Sequence, residues 1–233
     1  MNREEFILEV KKLNIPISEE TLTKLEQYCN LLITENEKYN LTAITEPEMI
    51  YLKHFYDSLT ITKDIKLDNQ YLLDIGTGAG FPGIVLKIFF PKLKIDLLDS
   101  TLKKCEFLKK VINKLNLKDI NVINERAEIY SKTNREKYDI VTSRAVAPLK
   151  HLLEYSIPAL KINGNFISLK GNITKELLEI KNYYQKLSLK NEQIITFNLP
   201  NNQGYRSIYI VSKEKTTPLK YPRNYSQIKK CSL

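Results

Sequence analysis

The chain offers little from which a membrane span, a disulfide framework or a metal centre could be built. Its 233 residues hold no apolar run of spanning length; the stretch Ile84 to Phe90 is broken by Lys87. The opening Met1-Asn2-Arg3-Glu4-Glu5 lacks the apolar core of a secretory signal. The three cysteines, Cys29, Cys105 and Cys231, stand far apart. They make no C-x-x-C pair and no metal-ligand spacing with the two histidines, His54 and His151. A reduced cytoplasm is the expected setting, with no membrane partner. No internal repeat or low-complexity segment interrupts the chain. Acidic residues are in the minority: 27 Asp and Glu against 36 Lys and Arg leave a net charge of +9.

That charge, with a pI of about 9.2, invites a polyanionic partner. A composition rich in Lys, Asn and Ile would also follow from AT-rich coding alone, so clustering matters more. Lys213, Lys215, Lys220, Arg223, Lys229 and Lys230 crowd the C-terminal end, with Glu214 the one acid among them. Tyr209, Tyr221 and Tyr225 interleave with them. The segment is either a surface on which bases stack or a solvated tail. The hydrophobic share of 42% suits a globular protein.

Residues 1–65 read as a helical region and 66–233 as the main domain. Leu22, Leu25, Cys29 and Leu32 recur at helical spacing behind Ser18, a candidate N-cap. Thr45-Glu46-Pro47-Glu48 has the form of a capping box with proline in the first turn. From Tyr71 the pattern alternates. Strands are predicted near 71–75, 94–98, 120–124, 138–143 and 163–169. Helices are predicted near 82–90, 101–116, 126–132, 149–160 and 174–188. Such alternation argues a parallel sheet covered by helices on both faces. Gln193–Leu199 and Arg206–Ser212 flank a turn-rich loop, Pro200-Asn201-Asn202-Gln203-Gly204, and read as a closing antiparallel hairpin. The expected fold is α/β, a Rossmann-like, mostly parallel seven-stranded sheet of the class I methyltransferase type, with an N-terminal helical extension.

The densest signal is Leu72-Leu73-Asp74-Ile75-Gly76-Thr77-Gly78-Ala79-Gly80-Phe81-Pro82-Gly83, a buried strand, a glycine turn and a helix start. Gly76, Gly78 and Gly80 let the backbone turn sharply and approach a ligand. The helix start aims free amides over the loop. Gly78 to Gly83 formally matches the dinucleotide fingerprint G-x-G-x-x-G. Asp74, however, precedes Gly76 by two residues. A pyrophosphate disfavours a nearby anion, whereas S-adenosylmethionine (AdoMet) carries an ammonium and a sulfonium that gain from one. Asp74 therefore points to AdoMet. Asp99 ends the second strand, placed to accept from both ribose hydroxyls.

The remaining strand ends should complete the site. Glu125-Arg126-Ala127-Glu128 follows the third strand; a carboxylate there can accept from an adenine amino group, or simply favour a helix start. Arg144 ends the fourth strand, either at the site or as an ion-pair partner of Glu128 or Asp74. Three acceptor chemistries lack their residues. Ser143-Arg144-Ala145-Val146 stands where an adenine amino-methylating enzyme would have an Asn/Asp-Pro-Pro-aromatic motif. No cysteine is placed as a nucleophile for pyrimidine C5. No carboxylate cluster suggests a catechol-type metal. What survives is an acceptor that needs little help; guanine N7 is one, since its lone pair is free and no general base is needed.

The chain closely resembles the bacterial small-subunit ribosomal RNA methyltransferase G family, also called glucose-inhibited division protein B. The likeness runs through Tyr39-Asn40-Leu41-Thr42, His54 to Leu59, Asp74 to Gly83, Leu97 to Ser100, Arg126-Ala127-Glu128, Thr142 to Ala147, Leu169-Lys170-Gly171 and Tyr221-Pro222-Arg223. The resemblance implies AdoMet-dependent N7 methylation of a guanosine in the 530 loop of 16S rRNA, on the 30S subunit or its precursors. It implies cofactor contacts at Gly76, Phe81, Ala127, Glu128 and Arg144, beside Gly78 of the loop and Asp99 of the ribose argument. It implies that Arg144 and Lys170 position substrate, and that Lys170 and Arg223 face RNA or the target base, with His54 and Asp57 as further candidates for that face. His54 and Asp57 can equally form an i,i+3 pair on one helix face. A monomer is expected, with no residue acting as general acid or base. A small-molecule AdoMet enzyme, a non-catalytic RNA-binding protein with a nucleotide pocket, and an NAD-dependent oxidoreductase stay open at this point.

Overall fold

The computed structural model describes residues 1–144 and 146–233; Ala145, within the Thr142–Ala147 motif, lies outside the described residues. Seven strands form one sheet in the order β3-β2-β1-β4-β5-β7-β6. They are β1 (Tyr71–Ile75), β2 (Lys94–Asp99), β3 (Ile120–Asn124), β4 (Tyr138–Arg144), β5 (Leu160–Lys170), β6 (Leu189–Asn198) and β7 (Tyr205–Lys213). The first five pair in parallel; β7 is antiparallel to both β5 and β6, closing the sheet as a hairpin. Chain order reverses between β1 and β4, and the crevice outside that switch point is where α/β sheets hold ligands.

The N-terminal helices are α1 (Arg3–Lys12) and α2 (Glu19–Tyr39). Ser18 caps α2, accepting from the Thr21 amide at 3.1 Å. A composite segment follows: α3 (Pro47–Ile50), a π-helical stretch Tyr51–Tyr56, α4 (Asp57–Leu59) and a short 3-10 turn Thr60–Lys63. Pro47 opens α3 as expected, but the capping box does not form: Glu46 is the N-cap and makes no side-chain cap bond. The N-terminal helices share one core with the sheet, in which Phe6, Leu25 and Phe55 pack with Ile84 and Leu97.

Between the strands lie α5 (Gly83–Phe89), α6 (Leu102–Lys114), α7 (Ala127–Thr133) and α8 (Leu149–Ser156). α8 stops short of 160 because Pro158 follows in a 3-10 turn, and β5 begins at Leu160 rather than 163. The helix predicted over 174–188 is two: α9 (Thr174–Glu179) and α10 (Tyr183–Leu187). α9 buries none of its residues, whereas Ile180, Tyr183 and Leu187 turn into the core. One straight helix could not serve both faces. α11 (Tyr225–Lys230) ends the chain, folded back towards α8.

The C-terminal segment is thus no frayed tail. Lys213 is fully buried and donates to the carbonyls of Ile157 and Leu160 at 3.2 and 2.8 Å. Tyr209 and Tyr221 are buried as well, so neither offers a ring to a base. Sequence clustering counted three side chains as surface that the sheet takes inside. Among the described residues, no helix is long and apolar enough to cross a membrane.

Candidate functional site

The glycine loop is held from below by Asp74. Its Oδ2 accepts from the Thr77 hydroxyl at 2.6 Å and from the Gly83 amide at 2.8 Å. It thereby ties the end of β1 to the start of α5. Gly83 has no room for more: a Cβ there would sit 2.3 Å from Leu97 and 2.9 Å from Asp74 Oδ2. Asp74 itself is fully buried and lines neither of the cavities above the loop. A carboxylate so placed acts on a cationic ligand above the loop through its field. Its Oδ1 has no partner, and burial pushes its carboxyl up from 3.8 to about 6.

This has a measurable sign. A folded-state pKa above the unfolded one means the contribution to stability is fully present below about 3.8. It is lost as pH rises through about 6. At pH 8 the ionised carboxylate therefore costs about 3 kcal/mol. Asp74→Asn keeps an oxygen for Thr77 and Gly83 and removes the charge. Its Tm at pH 8 is expected to equal or exceed wild type, converging towards wild type at pH 5, while affinity for a cationic cofactor falls. A clear loss of Tm at pH 8 would refute this reading.

Two cavities open at the C-terminal rim of the sheet. The first, of about 660 Å³, lies over β1, β2 and β3, with Asp99, Ala127 and Glu128 on its walls. The second, of about 420 Å³, lies towards β5, with His54, Phe81 and Lys170 on its walls. Gly76 and Arg144 line both. Gly76 has φ +66°, and a Cβ there would meet both Val146 methyls at 2.6 Å. Gly78, also at positive φ, donates its amide to Asp99 Oδ2 at 3.0 Å, while Asp99 Oδ1 accepts from the Thr101 amide at 2.8 Å. The ribose-type acid is thus held rigidly beside the loop. Glu128 is buried and accepts from Arg126 Nε at 2.5 Å; the ion pair expected between Arg144 and Glu128 is not the one formed.

Arg144 instead turns to the N-terminal helical segment. Its Nη1 donates to the Lys53 carbonyl at 2.7 Å and to Asp57 Oδ2 at 3.4 Å, and its Nη2 donates to His54 Nδ1 at 3.0 Å. The π-helical turn makes this possible. The Asp57 amide bonds back to Leu52 and His54 rather than to Lys53, which leaves the Lys53 carbonyl free for a guanidinium. Nδ1 has two neighbours, the Arg144 Nη2 at 3.0 Å and the Lys53 carbonyl at 3.2 Å; since Arg144 has no acceptor and itself takes that carbonyl, the arrangement favours an Nδ1 without a proton. Nε2 then donates to Thr42 Oγ1 at 2.9 Å. Burial, then Arg144, pull the His54 pKa down to about 3. The ring is neutral, and it stacks on Phe81 at 4.4 Å with 18° between planes. Phe81 in turn lies 5.0 Å beneath the Arg144 guanidinium and 5.5 Å from the Tyr28 ring. Asp57 completes the cluster, taking Arg206 Nε at 3.0 Å on its other oxygen.

His54 and Asp57 do not pair with each other; both hold Arg144. Lys170 lines the second cavity, but both oxygens of Glu176 lie within 2.9 and 2.6 Å of its Nζ. Arg223 sits away from both cavities. Its Nε and Nη2 grip Glu154 at 2.9 and 2.8 Å, and Glu154 is wholly buried. The geometry gives this charge a structural partner within the protein. Arg223→Ala is expected to lower stability by about 3 kcal/mol, because it strands a buried carboxylate. The salt dependence of RNA binding should stay unchanged; a slope shallower by about one counterion would restore the phosphate role.

Arg206 and Tyr28 escaped the sequence reading. Tyr28 is buried in α2 and donates its hydroxyl to the Ala79 carbonyl of the glycine loop. Arg206 reaches Asp57 across 149 positions of sequence. Neither lies in a local motif, so no spacing could mark them. Among the described residues, no group of His, Cys, Asp and Glu is placed to hold a metal ion.

Known proteins agree with this geometry. The family model for rRNA small subunit methyltransferase G matches residues 21–205. The chain is 50% identical over 216 residues to the ribosomal RNA small subunit methyltransferase G of Mesoplasma florum, covering 91% of this chain and 90% of that one. It is 42% identical over 227 residues to that of Bacillus cytotoxicus, covering 96% and 95%. Solved structures share the fold at low identity. A phosphoethanolamine N-methyltransferase 2 of Haemonchus contortus, in complex with S-adenosylhomocysteine, aligns with a TM-score of 0.58 at 13% identity, covering 81% and 60%. A precorrin-6y C5,15-methyltransferase of Geobacter metallireducens aligns at 0.53 and 13%, covering 78% and 96%. A class I methyltransferase sheet, a glycine loop facing two joined cavities, and relatives matched along nearly the whole chain lead to one conclusion: the chain belongs to the rRNA small subunit methyltransferase G family.

Proposed function

We propose that this enzyme transfers the methyl group of AdoMet to N7 of a guanosine in the 530 loop of 16S rRNA. The observation that carries the reading is the meeting of two cavities at Gly76 and Arg144. Methyl transfer needs a donor and an acceptor brought to one point.

The first cavity suits AdoMet. Its volume, about 660 Å³, lies within the roughly 300–1,000 Å³ common for small-molecule sites. A side chain at Gly76 would fill the cradle. Asp99 and Glu128 are acceptors for ribose hydroxyls and an adenine amine, and the first amides of α7 are donors without an intrahelical partner. The unpartnered Asp74 Oδ1 adds negative potential beneath the loop. When bound, AdoMet supplies a methyl group activated on a sulfonium.

The second cavity suits an acceptor that keeps its protons. Among the described residues of its walls, neither His54 nor Asp57 is free to act as a base. His54 has both nitrogens engaged and its pKa near 3. Asp57 is committed to two arginines. Guanine N7 needs no base. Catalysis is then alignment, and Arg144, rigid between Phe81, His54 and Asp57, is the side chain placed to provide it.

The test is transfer of labelled methyl from AdoMet to 30S subunits from a strain lacking this gene, with the base mapped by N7-specific strand scission. Label at one 530-loop guanosine is the expected result. Label elsewhere, or none on 30S, immature particles or naked 16S rRNA, would overturn the proposal.

A further inference from the structure

The family match stops at residue 205, yet α11 reaches back over the first cavity. The helix is firmly held. Arg223 clasps Glu154, and Arg135 Nη1 donates to the Tyr221 carbonyl at 2.7 Å. Asn224 and Gln227 form a capping box, Ile228 is 1% exposed, and the Leu233 amide donates to the Tyr183 hydroxyl at 3.1 Å. On this anchored helix Tyr225 is nevertheless 43% exposed, and it lines the same cavity as Asp99, Ala127 and Glu128. The Arg126 guanidinium lies over its ring, 4.1 Å from the centroid. Arg126 immediately precedes Ala127 and is itself paired with Glu128. A flat ring held at a cavity wall, backed by a cation, is a stacking platform for a flat heterocycle.

We propose that α11 is the outer wall of the cofactor site and that Tyr225 is a binding residue for the adenine ring of AdoMet. The proposal rests on the reading of the first cavity given above. The C-terminal segment, basic and tyrosine-rich in sequence, then serves the cofactor through Tyr225 rather than RNA bases. Lys229, on the same cavity wall one turn further along α11, leaves the cofactor pocket rimmed with positive charge.

The chain contains no tryptophan, so Tyr225→Trp creates a single-tryptophan reporter. S-adenosylhomocysteine should quench its emission saturably, at a midpoint equal to the dissociation constant from calorimetry. Leu8→Trp, exposed on α1 away from the cavity, should not respond. By calorimetry Tyr225→Leu, which keeps apolar bulk without the ring, should weaken S-adenosylhomocysteine about tenfold, and Tyr225→Phe should match wild type. An unquenched reporter together with wild-type affinity in Tyr225→Leu overturns the proposal while leaving the cofactor reading intact. No binding of S-adenosylhomocysteine to the wild-type chain overturns the cofactor reading and this proposal with it.

Discussion

Arg144→Ala is expected to cut methyl transfer by roughly a hundredfold or more, with little loss of cofactor affinity. Among the described residues, Arg144 is the one side chain that lines both cavities, since Gly76 contributes only backbone. Its side chain is 13% exposed, with a neutral ring, a carboxylate and a backbone carbonyl holding it from three directions. Burial pulls its pKa below the ordinary arginine value, but a guanidinium stays charged in proteins. Removing it leaves Asp57 still paired with Arg206, so the fold should survive. Arg144→Lys should not rescue activity. One ammonium cannot span the Lys53 carbonyl, Asp57 and His54 at once. The loss should appear in kcat rather than in the affinity for S-adenosylhomocysteine. A variant retaining more than half of wild-type turnover would remove Arg144 from the reaction. A further readout is His54: without the neighbouring cation its pKa should rise from about 3, although burial, the larger cause, keeps it below 6.5.

Gly76→Asp should weaken cofactor binding by roughly a hundredfold or more. Three costs coincide at this residue. The backbone stands at φ +66°, which L side chains rarely adopt. The first added carbon would fall 2.6 Å from two Val146 methyls. A new carboxylate would then crowd Asp99 and Asp74. Gly76→Ala separates these effects, since it keeps the backbone strain and the contact but adds no charge. It should lose less affinity than the Asp variant. Gly78 is the internal control: a Cβ there has nothing nearer than 3.9 Å, so Gly78→Ala pays the backbone cost alone. Calorimetry with S-adenosylhomocysteine should rank wild type above Gly78→Ala, then Gly76→Ala, then Gly76→Asp. Equal affinity in all four would place the cofactor elsewhere.

Much of the architecture was legible because its signals are local. Strand–helix alternation from Tyr71, the glycine-dense turn and the acid ending β2 each depend on neighbouring residues and on one repeated supersecondary unit. The five parallel strands and the closing hairpin follow from them. The errors have equally specific causes. Lys213, Tyr209 and Tyr221 look like surface in a basic stretch, yet the sheet and α8 bury them. Lys170 and Arg223 are each met by a carboxylate, Glu176 and Glu154, to which no sequence spacing points. A lysine or arginine in sequence gives no sign of a carboxylate brought to it by folding.

By itself the sequence determined the class of fold, the position of the glycine loop and the family, since these lie in short-range patterns of residue type. Only the tertiary structure decided what each charged group does. It routed Arg144 to a carbonyl freed by a π-helical turn, set Asp57 between two arginines, and laid Tyr225 on the wall of the first cavity. Those outcomes depend on pairs separated by up to 149 residues, where no spacing rule operates and only the packed chain decides which groups meet.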